Sequence, residues 1–147
     1  MNTPGTKTRS RLQTAALIVG VVFLLVGVLG FVPGVTTNYD SMEFAGHTSD
    51  AMLLGVFEVS ILHNIVHLLF GVAGVLAART WSASRGYLVG GGVIYLLLFL
   101  YGLLVGHDSA ANFVPVNNAD NWLHLVLGVG MIALGVLLSK RRTGGPL

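Results

Sequence analysis

Three of the chain's five histidines, His63, His67 and His124, lie in strongly apolar stretches. An ionisable side chain in such surroundings is costly and marks either a hydrogen-bonded contact or a site. His63 and His67 stand four residues apart, the spacing that puts two imidazoles on one face of a helix. Glu58, Asn64, Asp120 and Asn121 are the polar residues around them. Hydrogen-bonded packing between helices is the first reading of this set. A metal held by His63 and His67, with His124 and Asp120 completing a nitrogen and carboxylate set, is the next. Haem ligation by histidines on facing helices is a third. A proton or small-solute path through Glu58, His63 and His67 is a fourth, because imidazole titrates in the useful range. There is no His-Glu-x-x-His run, which argues against a hydrolytic zinc enzyme. The absence of cysteine removes thiolate metal sites and iron–sulfur clusters. No catalytic residue is assigned, no cofactor is expected, with metal and haem the exceptions left open, and the reading leans away from an enzyme.

The elements that must position these residues follow from composition. Of 147 residues 54% are hydrophobic and 10% charged, against about 25% charged in a typical soluble domain. Mean hydropathy is +0.79. With about 20 apolar residues per span, four spans use most of the chain, at about residues 14–32, 53–78, 87–105 and 122–139. None alternates polar and apolar residues as barrel strands do. The expected fold is therefore an all-α integral membrane protein with four transmembrane helices. Residues 1–12 form a basic N-terminus, 13–142 a single membrane domain and 143–147 a tail. Lys7, Arg9 and Arg11 before the first apolar run also suit a secretory signal, but the run is too long for a signal core and no small-x-small cleavage site follows. It is read as a retained helix.

All eight basic residues fall before span one, between spans two and three, or after span four. Five of the six acids, Asp40, Glu43, Asp50, Asp108 and Asp120, fall in the other two loops. The positive-inside rule then places both termini in the cytoplasm and the acidic loops outside. The basic pI of about 9.3 is explained by lysine and arginine beside anionic lipid heads, with no nucleic-acid partner. Trp81 and Tyr87 on the inner side, and Tyr39, Tyr101 and Trp122 on the outer, suit interfacial belts.

Asn64-Ile-Val-His67-Leu-Leu-Phe-Gly71 matches Asn121-Trp-Leu-His124-Leu-Val-Leu-Gly128, and Phe31-Val-Pro33 matches Phe113-Val-Pro115. These matches suggest two helical hairpins in a parallel repeat. At about 100° per residue, His63, Asn64, His67 and Gly71 share one face of span two, with Glu58 off that face. Asp120, Asn121, His124 and Gly128 share one face of span four. Helices two and four are thus expected to meet along these faces or to face a common cavity. His63 precedes Arg79, and His124 precedes Lys140, by the same sixteen residues, which sets both imidazoles at one level, roughly 24 Å above the basic boundary. Asp120 or Asn118 is expected to cap the fourth helix. Gly86, Gly90, Gly102 and Gly106 bracket the third in Gly-x-x-x-Gly pairs, which with Gly71 and Gly128 suggest close helix packing.

Leu62-His-Asn-Ile-Val-His-Leu-Leu-Phe-Gly-Val-Ala-Gly74, Asn112-Phe-Val-Pro-Val-Asn-Asn-Ala-Asp-Asn-Trp-Leu-His124 and Gly34-Val-Thr-Thr-Asn-Tyr-Asp40 resemble the signatures of the domain of unknown function 4383 family. The resemblance runs from span one to span four. It implies a small bacterial, typically actinobacterial, four-helix plasma-membrane protein, and it supplies no activity or site role. The expected function is that of a structural or accessory membrane component with an outward polar cluster. The expected partners are the lipid bilayer and either a second copy or a membrane complex. Small-solute, lipid or proton binding or transport is the rival reading.

Overall fold

The structure is a computed structural model and describes residues 8–140. Lys7, Arg141, Arg142 and the 143–147 tail lie outside the described residues. Four helices run α1 (Arg11–Leu29), α2 (Ile61–Ala77), α3 (Trp81–Leu104) and α4 (Asn118–Leu137). Each starts on a residue whose side chain accepts a hydrogen bond from an otherwise free backbone N–H, namely Ser10, Ser60, Thr80 and Asn117. α1, α3 and α4 are long and apolar enough to cross a membrane.

α2 has 17 residues, or roughly 25 Å against about 30 Å of hydrocarbon. The second span was expected to begin near residue 53, but the chain is not helical there. β1 (Thr36–Thr37), β2 (Met52–Leu53) and β3 (Phe57–Glu58) form a small antiparallel sheet in the order β1-β2-β3. Thr36 lies opposite Leu53, and Leu53 opposite Phe57. Between β2 and β3 the backbone turns through Leu54 and Gly55, both at positive φ, +54° and +69°. The apolar residues that extended the hydropathy of span two bury a second small core of Ala51, Leu53 and Val59. Hydropathy registers burial in this loop layer as readily as burial in lipid.

α1 packs along α2 and α3 along α4, while α1 and α4 barely touch. At one end Gln13 Nε2 donates to the carbonyls of Ala78 and Arg79 at 3.2 and 3.1 Å, tying the start of α1 to the α2–α3 turn. At the other, Thr36 Oγ1 donates to the carbonyls of Leu29 and Gly30, closing the end of α1 beneath the sheet. Apolar side chains cover the outside of the helices, with Leu25, Leu69, Leu97 and Val126 all exposed. Asn64, His67, Asn121 and His124 are buried between them. This distribution inverts that of a water-soluble bundle.

The helix contacts are built on glycine. A Cβ at Gly20 would fall 2.8 to 2.9 Å from the backbone of α2 at Gly71, Gly74 and Val75. A Cβ at Gly92 would meet the Gly128 carbonyl of α4 at 2.8 Å and Ile132 at 2.6 Å. At Gly71 it would meet Leu24, and at Gly128 Leu96. Gly102 lies against Asn121, and Gly30 against Asn64. Gly86 and Gly90, expected among the packing glycines, face open space, and Gly106 meets only Ser109 Cβ at 3.9 Å. Gly86 and Gly90 lie on a face of α3 that no other helix covers, and Gly106 lies beyond the end of α3.

Candidate functional site

The polar residues of the apolar helices divide between two jobs. Asn64 and Asn121 turn toward glycines of α1 and α3. Asn121 Nδ2 donates to the Gly102 carbonyl at 3.1 Å, and Asn64 Nδ2 lies 3.8 Å from Met42 Sδ. Both carboxamides are wedged where a glycine leaves room, and the Oδ1 of each is buried without a hydrogen-bond partner.

The histidines instead face a cavity of about 120 Å³ between α1 and α4. His63 and His67 of α2 and His124 of α4 line its base, with Asp120 beside them. Val26, Leu29 and Leu123 form the helical walls, and Leu53, Leu54 and Phe57 cover it from the sheet. Of the faces expected to meet or to share a cavity, His63, His67, Asp120 and His124 line this one, while Asn64 and Asn121 turn away from it to glycines.

His67 is oriented by its own helix. Its Nδ1–H donates to the His63 carbonyl at 3.0 Å, which leaves Nε2 of the neutral ring an acceptor. The ring lies 5.5 Å from Phe23, and His124 lies 5.4 Å from Tyr95. Phe23 and Tyr95 stack at 5.3 Å, so an aromatic pair links the positions of His67 and His124. The imidazoles of His63 and His67 are 4.2 Å apart, centroid to centroid. Nδ1 of His63 and Nδ1 of His124 are buried and unpartnered.

Asp120 is 2% exposed and acts as a staple. Its Oδ2 accepts the backbone N–H of Asn117 at 3.0 Å and of Glu58 at 3.1 Å. Asn117 Oδ1 accepts the Asp120 N–H in return, a reciprocal capping box. The cap of α4 is therefore Asn117, where Asp120 or Asn118 was expected. The chain bends into the helix one residue earlier, and Asp120 takes the third helical position. Asn117 Nδ2 also donates to the Val56 carbonyl at 2.9 Å, so α4 holds the β2–β3 turn through both side chains.

Glu58 sits apart from the histidines. It lines a polar cleft of about 470 Å³ with Asp50, Asp108, His47, His107 and Asn117, where the two acidic loops come together. Burial pushes its carboxyl above the ordinary 4.5, while His107 pulls it down, Asp50 pushes it up and His47 pulls it down. Among the described residues no three His, Asp or Glu side chains are grouped to hold a metal ion. Within the set of His63, His67, His124 and Asp120, His67 Nδ1 and Asp120 Oδ2 are engaged by backbone groups. Asn117, Phe23, Tyr95 and His107 belong to this region without having been expected there. Asn117 has a sequence signal, the Asn-x-x-Asp of a capping box; the two aromatics have none.

Residues 13–137 match the family described as a domain of unknown function, DUF4383. The chain belongs to that family. The DUF4383 match reaches from the third residue of α1 to the end of α4, so the cavity and the glycine contacts both lie within it. No curated protein and no solved structure matches the chain.

Proposed function

We propose that this protein is a structural or accessory component of the bacterial plasma membrane, with both termini in the cytoplasm and its acidic loop layer outside. In this reading all four helices, α2 included, lie in the bilayer. The chain is two hairpins, α1–α2 and α3–α4, in a parallel repeat. Gly20, Phe23, Leu24 and Gly30 correspond to Gly92, Tyr95, Leu96 and Gly102, and Asn64, His67 and Gly71 to Asn121, His124 and Gly128. The paired contacts support it: Gly20 on Gly71 and Gly92 on Gly128, Asn64 at Gly30 and Asn121 at Gly102.

The observation that carries the accessory reading is how the intramembrane polar groups are used. Asn121, His67 and Asp120 are hydrogen-bonded to backbone groups of their own fold. The Asn121 and Asp120 bonds join elements, and the His67 bond fixes a ring on its own helix. The test is purification from native membranes in mild detergent, with the associated chains identified and counted. A defined partner chain or a defined number of copies at fixed ratio supports an accessory role. A monomer that carries solute across liposome membranes at a saturable rate would contradict it. The second reading, binding of a small molecule, is favoured by the cavity that His63 and His124 line with unpartnered nitrogens.

A further inference from the structure

We infer that the cavity between α1 and α4 is a binding site for a small uncharged ring carrying one hydroxyl or carbonyl, received from the bilayer. Four observations define the ligand. The cavity, at about 120 Å³, is close to the size of an engineered 150 Å³ cavity that binds benzene, so it takes one six-membered ring. Its walls at Val26, Leu29, Phe57 and Leu123 are apolar, which suits the ring itself. Its base holds His63 and His124, 8% and 4% exposed, each with an Nδ1 that meets no hydrogen-bond partner. A buried polar atom left without a partner costs about 1–3 kcal/mol, and a hydroxyl or carbonyl placed between the two rings would recover it. No lysine or arginine lines the cavity and Asp120 does, which disfavours an anion.

The route follows from the packing. α1 and α4 have little contact with each other while each is tightly joined to its neighbour. α2 meets α4 even less, so the cavity lies where α4 parts from the α1–α2 hairpin, beneath the β2–β3 turn. That parting is the side on which it approaches the apolar exterior. Leu54 at the tip of that turn is 64% exposed, held at positive φ, and also lines the cavity. The side chain joins the outer surface to the cavity mouth.

Phenol and toluene are the probes, equal in ring size and different in the hydroxyl. With the full chain in lipid nanodiscs and its histidines labelled with nitrogen-15, phenol should shift the imidazole resonances of His63 and His124 saturably. Toluene should need about tenfold more to half-saturate, the worth of one hydrogen bond to a buried group. His124→Leu should remove the preference for phenol. Leu123→Trp, which fills the cavity from its wall and keeps both imidazoles, should abolish the phenol shift. It decides the matter if His124→Leu fails to fold. Equal affinity for the two probes, an undiminished shift in Leu123→Trp, or no saturable shift at all would overturn the site and leave the cavity to water.

Discussion

At the scale of single residues, two acids that look alike in sequence do different work. Asp120 is a staple: one carboxylate oxygen accepts N–H groups from Asn117 and Glu58 and so joins α4 to the sheet. Replacing it with alanine removes both acceptors, and the expected loss is about 1–2 kcal/mol, read as a lower unfolding midpoint in detergent. Asp120→Asn keeps an oxygen in place and should lose less. Glu58 is the opposite case, since the fold raises its carboxyl above 4.5, chiefly by burial. The folded chain then binds more protons than the unfolded chain in that window. Stability from this group is complete below 4.5 and declines as pH rises through the raised value. Glu58→Gln should flatten this decline, and a pH series of unfolding midpoints checks it. A wild-type midpoint that rises with pH relative to Glu58→Gln would be the wrong sign. Asp50, His47, His107 and Asp120 face the same region, so the comparison with Glu58→Gln, not the absolute slope, isolates the group. The polar set His63, Asn64, His67, Asp120, Asn121 and His124 could be read from the chain because polar side chains are so few in these stretches. Its division into wedges, cavity lining and staple could not, because that depends on which glycine or loop lies opposite each residue.

At the scale of elements, the glycines separate into those that meet a helix and those that do not. Gly20 and Gly92 allow backbone contact with α2 and α4, and leucine at either should overpack the seam, at a cost of about 1–3 kcal/mol. Leucine at Gly86, which faces open space, should leave the unfolding midpoint of the monomer unchanged. Equal loss at Gly20, Gly92 and Gly86 would refute this division. With twenty glycines in the chain, Gly-x-x-x-Gly spacing alone could not single out the contacts. The useful pattern was a glycine three residues before an aromatic and ten before a second glycine, as in Gly20, Phe23, Gly30 and Gly92, Tyr95, Gly102. It becomes visible only once the helices are paired. Helix existence was legible from uncharged apolar runs, and α1, α3 and α4 overlap the expected spans but start three, six and four residues earlier. The start of α2 was not legible, because residues 51–59 are as apolar as a span yet bury against one another in the sheet layer.

At the scale of the whole molecule, charge and hydropathy organise the chain along one axis. Arg9, Arg11 and Arg79 gather at the end where Gln13 meets the α2–α3 turn. Asp50, Glu58 and Asp108 gather in the cleft at the other. The proposed orientation puts the arginine end in the cytoplasm and the acidic cleft, with the histidine cavity below it, on the outer side. Because the chain has no cysteine, single cysteines report on this without background. Thr48 and Ala110 in the acidic loops and Ser82 at the start of α3 are all exposed. Membrane-impermeant maleimide applied to intact cells should label Thr48→Cys and Ala110→Cys and leave Ser82→Cys untouched until the cells are opened. Labelling of Ser82→Cys in intact cells, with Thr48→Cys and Ala110→Cys protected, would contradict the orientation and the outward cavity together.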